Sequence, residues 1–306
     1  MSKNTSKKNV ALVLSSGGAR GLAHIGVIDV LVERGYIINS IAGSSMGAMV
    51  GGLYATNNLN KFKDWIVTLD KLAIFKLIDF TFSSQGFIKG EKIFQKMHEM
   101  SMIPDINIED LPIKFTAVAT DIIKNQEIIF DSGNLHQAIR ASISIPNVFT
   151  PIANTESVLV DGGVLNPIPI NRVSRTKNDI LIAVDLNSLE PYNKPYLPKK
   201  EKTKVVHSEK TVKLIKKWDE LFSEQHSEKS VKSITKKLKL SYFDILVRSI
   251  QLMQSKLSLQ TIESYPIDVL INISKDSCSV FEFYKGEEMI AYGREACIKA
   301  LDKAGL

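Results

Sequence analysis

Apolar residues in this chain cluster into short strand-like runs, and between them lie segments in which apolar positions recur every three or four residues. The runs at 10–14, 37–42, 113–119, 126–130, 157–160, 180–185 and 267–273 predict strands. The helical spacing predicts helices near 21–34, 46–56, 90–100, 134–142, 242–263 and 287–304. Strands and helices that alternate in this way predict a layered α/β fold. Lys114 to Asp121 is nearly all apolar and suits a central strand, with Asp121 at its end predicted to close a turn or cap. In the late helix Leu246, Ile250, Met253 and Leu257 share one stripe, for which core packing is the expectation.

Three of the predicted strands end in residues with chemical potential. Ile37–Ala42 runs into Gly43-Ser44-Ser45-Met46-Gly47, a G-x-S-x-G that suits a serine on a sharp strand-to-helix turn. Ser45 would stand at a helix N-terminus, where unpaired N–H groups favour developing negative charge. Val10–Leu14 runs into Ser15-Ser16-Gly17-Gly18-Ala19-Arg20-Gly21, a strand–glycine loop–helix that can aim backbone N–H groups at one point. Such a loop suits either an oxyanion hole or a phosphate cradle. There is no G-x-G-x-x-G and no Walker A lysine, which weakens the nucleotide reading. Val158-Leu159-Val160 delivers Asp161 followed by Gly162 and Gly163, making Asp161 a candidate base.

A triad would need a histidine, and none is placed like one. His24 falls in the helix after the glycine loop, where packing beneath the loop is expected. His98 and His136 lie in helical segments without a motif, and His207 and His226 in a lysine-rich stretch. Ser45 with Asp161 remains. Arg20 either faces a substrate phosphate or buttresses its loop, and for Arg140 a structural ion pair is expected.

The three blocks, in this order, together with Arg140-Ala141-Ser142-Ile143-Ser144-Ile145-Pro146 and the later Phe149 and Pro151, resemble the patatin-like phospholipase family, its bacterial single-domain members especially. The resemblance spans roughly residues 9 to 186. It implies a three-layer fold with a mostly parallel central sheet flanked by helices, and a serine acyl hydrolase with a Ser45–Asp161 dyad. It also implies an oxyanion loop at Gly17, Gly18, Ala19, Arg20 and Gly21, an elbow of Gly43, Ser44, Met46 and Gly47, an aspartate motif completed by Gly162 and Gly163, and no catalytic metal or cofactor. One departure stands out: Ser16 occupies a position where the family usually has glycine. The implied substrate is a lipid or phospholipid acyl ester. An acyltransferase or thioesterase using the same acyl-enzyme, or a lipid-binding regulator with incidental turnover, are the alternatives.

Composition fits this picture without deciding it. The 306 residues are 44% hydrophobic and 24% charged, enough for one α/β domain over 1–306 with 9–186 as its motif-bearing core and 241–306 completing it. The N-terminal nine residues are polar with no apolar h-region, and no apolar run reaches the roughly 18 residues of a membrane span. Cys278 and Cys297 read as buried thiols, and a cytoplasmic location is expected. Residues 191–240 differ, being rich in lysine. Within them Val212, Leu214, Ile215, Trp218, Leu221 and Phe222 form an amphipathic basic pattern suited to an insertion, a lid or a peripheral membrane contact. The net charge of +6 comes with no nucleic-acid motif, calcium dependence is not expected, and the oligomeric state is not legible.

Overall fold

The structure is a computed structural model that describes residues 8–77, 91–146, 149–198 and 242–306. Eight strands form one mixed sheet: β1 (Asn9–Leu14), β2 (Ile37–Ser44), β3 (Lys114–Asp121), β4 (Gln126–Phe130), β5 (Ile152–Ala153), β6 (Val158–Asp161), β7 (Ile180–Ser188) and β8 (Val269–Ser274). Their order is β5-β6-β3-β2-β1-β7-β8, with β4 on β3. The run β3-β2-β1-β7-β8 is parallel, while β4, β5 and β6 form an antiparallel end.

The central strands are rich in apolar residues and almost wholly buried because both of their faces are covered. On one face Val10, Leu12 and Leu14 join the main core with α1 (Ala23–Glu33) and α2 (Met46–Ala55). The same core takes in α6 (Leu135–Ser142) and α8 (Gly286–Lys303). On the other face Ala11 and Val13 pack on Ile168, Ile170 and Val173, and against α7 (Tyr242–Ser264) through Ile262. The alternation along β1 is the period-two geometry of a strand between two layers.

Three helices lie between α2 and β3: α3 (Leu59–Ile66), α4 (Lys71–Leu77) and α5 (Glu91–Glu99). Only α5 was predicted by spacing. α3 and α4, eight and seven residues long, were not. No helix among the described residues is long and apolar enough to cross a membrane. Of the lysine-rich 191–240 stretch, residues 199–240 lie outside the described residues, including the amphipathic pattern from Val212 to Phe222 together with His207 and His226. Its start runs along α8, where Tyr192 Oη donates to Glu288 Oε1 at 2.7 Å and Lys194 pairs with Glu288 at 2.9 Å.

Candidate active site

β2 ends at Ser44 and α2 begins at Met46, leaving Ser45 alone to turn the chain. It does so at φ 55° and ψ −122°. Positive φ costs a residue with a Cβ about 1–3 kcal/mol and persists only where the surroundings over-determine it. Here the flanking glycines do so. A Cβ on Gly43 would lie 2.5 Å from the backbone of Gly47 and Ala48, and one on Gly47 would lie 2.0 Å from the Leu14 carbonyl oxygen. Ser45 thus caps α2, with the positive end of the helix dipole beside its hydroxyl.

Strand register brings Asp161 to it. β4 pairs with β3 along Ala117–Asp121, so β2 (through Val118) and β6 (from Ala119) must share the opposite edge. Ser44 sits beside Val118 and Asp161 beside Ala119, one step apart on a common neighbour. Ser45 Oγ donates to Asp161 Oδ2 at 2.5 Å, and the Gly163 N–H donates to Oδ1 at 2.7 Å. Both residues are 2% exposed. Burial pushes the Asp161 carboxyl up to about 7, against the two hydrogen bonds that favour its charged form.

A segment at the end of α6 anchors both residues. The Ser45 N–H donates to Ser142 Oγ at 2.9 Å, and the Asp161 N–H donates to the Ser144 carbonyl at 2.9 Å. Arg140 braces this segment, donating to Ser144 Oγ at 2.7 Å and to the Thr150 carbonyl at 2.8 Å, with its guanidinium over the Phe94 ring. Sequence reasoning noted this block for its resemblance but assigned Ser142 no task; a buried serine's orientation toward a backbone N–H leaves no trace in spacing.

The glycine loop divides. Gly17 and Gly18 border the cleft beside Ser45, but Ala19, Arg20 and Gly21 do not. The Ala19 N–H donates to the Val280 carbonyl at 3.0 Å, and a Cβ on Gly21 would meet Met46. The Arg20 guanidinium donates to the carbonyls of Lys275 and Cys278 and to Asn187 Oδ1. The oxyanion expectation therefore narrows to Gly17 and Gly18, and Arg20 is a buttress. His24 is buried under the loop, its Nε2 2.9 Å from the Ser15 carbonyl; burial lowers it to about 4, so it is neutral. No histidine among the described residues lines the cleft; His98 and His136 border a separate surface hollow. Asp121 caps a turn by accepting from the N–H groups of Ile123 and Lys124.

Two arms leave Ser45. The first is apolar throughout, walled by Met49, Phe62, Trp65, Ile66, Met97 and Phe281 among others, from α2, α3, α4, α5 and the segment before α8. The second passes Ser16, Asp161 and Val164 and is roofed by Leu246, Val247, Ile250, Gln251 and Gln254 of α7. The expected core stripe on α7 is corrected here. Leu246 and Ile250 are half-buried over the cleft and Met253 is 57% exposed, because α7 spans an opening instead of sealing a core. Among the described residues no group of three or more His, Cys, Asp or Glu gathers as a metal site requires.

The family model described as patatin-like phospholipase matches residues 12–173, more than half of the chain and all three blocks. The chain belongs to the patatin-like phospholipase family. NTE family proteins of Mycobacterium tuberculosis and Mycobacterium bovis are 45% identical over 188 residues, covering 61% of this chain and 52% of theirs. A lysophospholipase of Neurospora crassa is 31% identical over 191 residues, covering 60% of this chain and 12% of its own. The patatin-like chain thus spans about half, or less, of the length of these relatives. Among solved structures, VipD from Legionella pneumophila aligns with a TM-score of 0.43 at 15% identity, over 97% of this chain and 67% of that one.

Proposed function

We propose that this patatin-like chain is a serine acyl hydrolase that cleaves mono-acyl lipid esters, with Ser45 as nucleophile and Asp161 as general base. The observation that carries the reading is the Ser45–Asp161 hydrogen bond, made where an apolar arm and a more polar arm meet. An acyl chain lies in the apolar arm, placing its ester carbonyl over Ser45. Ser45 Oγ attacks the carbonyl carbon as its proton passes to Asp161 Oδ2. The N–H groups of Gly17 and Gly18 receive the oxyanion, with the α2 N-terminus adding its dipole. Collapse expels the alcohol, which takes the proton from Asp161. Water then gives a proton to Asp161 as it attacks the acyl-enzyme, and collapse releases the fatty acid as the departing Ser45 Oγ takes that proton back from Asp161.

Only the first arm is apolar along its whole length, while the second carries Ser16, Gln251 and Gln254 among apolar neighbours, which supports one chain being held, and the relative named a lysophospholipase supports the same substrate class. The outer face of α7 presents Leu252 at 72% and Met253 at 57% exposure above the cleft, which supports a lipid surface meeting the protein there.

The test is intact-protein mass spectrometry after a fluorophosphonate probe, beside hydrolysis of a p-nitrophenyl ester. Wild type should gain one adduct, Ser45→Ala none, and turnover should vanish in Ser45→Ala and Asp161→Asn. An unlabelled but well-folded wild type would overturn the proposal.

A further inference from the structure

Ser16, where the family resemblance leads one to expect glycine, is held by its backbone. Its N–H donates to the Pro167 carbonyl at 2.7 Å and its own carbonyl accepts from Asn187 Nδ2 at 3.2 Å. Its hydroxyl is different. Ser16 is 1% exposed, yet Oγ has no hydrogen-bond partner among the described residues, and the residue lines the polar arm beside Ser45 and Asp161. Buried hydroxyls nearly always find a partner, so one left without at a cleft wall calls for a ligand to supply it.

Gly163 marks where that ligand would reach. A Cβ there would lie 2.6 Å from Ser16 Oγ and 2.6 Å from Gln254 Nε2. The two polar atoms are therefore no more than twice 2.6 Å apart, a gap that one oxygen can bridge with two ordinary hydrogen bonds. The absence of a side chain at Gly163 lets both polar atoms stand this close, while its N–H fixes Asp161 Oδ1. A polar bridge point thus stands next to the proposed base, on the side of Ser45 away from the apolar wall.

We propose that Ser16 Oγ and Gln254 Nε2 form a subsite for a free hydroxyl on the alcohol portion of the substrate, selecting esters whose glycerol carries an unacylated hydroxyl beside the scissile bond. Gln254 donates to that hydroxyl oxygen, and the hydroxyl donates to Ser16 Oγ. A diacyl lipid offers an ester oxygen with no proton at the same place, so the hydrogen bond to Ser16 Oγ is lost. The subsite rests on the hydrolase reading above, and it assigns Ser16 to choosing the substrate, with no share in making or breaking the ester.

The experiment compares a 1-acyl lysophosphatidylcholine with its 2-deoxy analogue, identical apart from the hydroxyl, in wild type, Ser16→Ala and Gln254→Met. Wild type should favour the hydroxylated ester by roughly tenfold in kcat/KM, the scale of one or two net hydrogen bonds. Both variants should bring the ratio to about one by losing rate on the hydroxylated ester alone. Equal rates on the two esters in wild type, or a Ser16→Ala variant that slows both alike and keeps the ratio, would overturn the subsite while leaving the hydrolase standing. A wild type inert to both esters and to p-nitrophenyl esters would refute the hydrolase, and the subsite with it.

Discussion

The floor of the cleft and its apolar wall are built by different means. At the floor every important atom is placed by backbone: Ser45 by a positive φ between two glycines that admit no Cβ, Asp161 by its register on β3, and both by N–H groups tied to Ser142 and Ser144. At the wall Phe62, Trp65, Ile66, Ile93 and Met97 offer only apolar area from two short helices, α3 and α5. Area tolerates exchange as long as volume is kept, whereas a backbone-placed atom has no substitute. Chemistry and chain selection should therefore be separable: changes at the floor should act alike on every chain length, and changes at the wall should alter only the dependence on length.

The largest effect should come from Ser45→Ala. Turnover should fall by at least about 10⁴-fold for acetyl and long-chain esters alike, as when a nucleophile is removed from a catalytic unit. Circular dichroism should be unchanged. A loss confined to long chains would break the separation outright.

Next is pH. With Asp161 held near 7 by burial, the carboxylate that takes the Ser45 proton is lost below that value, so kcat/KM should fall about tenfold per unit of pH below 7 and level off above it. The same burial affects stability with the opposite sense. A carboxyl raised from its usual 3.8 favours the folded state while protonated, and that contribution is lost as pH rises through about 7. Asp161→Asn can accept from Gly163 and donate to Ser45, so it should melt higher than wild type, by a margin that grows from pH 4 to 7 and then stays flat in thermal scans. A margin independent of pH would show that the carboxyl titrates elsewhere.

The contrast also explains what was legible in the sequence. G-x-S-x-G and Asp161-Gly162-Gly163 could be read because close backbone approach admits only glycine, and that requirement is written at fixed offsets. The strands β1, β2, β3 and β7 could be read because burial on both faces leaves runs rich in apolar residues. α3 and α4 were not read, and their apolar residues Phe62, Trp65, Ile66, Ile74 and Leu77 line the cavity. The oxyanion loop was read too broadly because sequence cannot tell that the Ala19 N–H is taken by Val280, a residue 261 positions away. The α7 stripe was misassigned because half-burial over a cleft and full burial in a core share one periodicity.

Ser142→Ala tests the floor's supports. It leaves the Ser45 N–H buried without its acceptor, and a buried donor left unmet costs about 1–3 kcal/mol. Part of that should appear as misplacement of Ser45, lowering kcat by about tenfold with KM little changed, and equally for short and long esters.

The smallest effect should lie at the wall. Leu69 borders the apolar arm just beyond α3 and is half-buried, so a larger side chain there has room to turn inward without overpacking the main core. Leu69→Trp should shorten the space for the chain. Each methylene denied burial forfeits about 0.8 kcal/mol, so excluding two should lower kcat/KM for the longest esters by about tenfold. Butyryl esters, which do not reach that far, should keep their wild-type rate. A length series of p-nitrophenyl esters would show the optimum moving to shorter chains at constant kcat for the short ones. A uniform drop across the series would mean that α3 and α4 hold Ser45 in place after all, and the division between floor and wall would have to be given up.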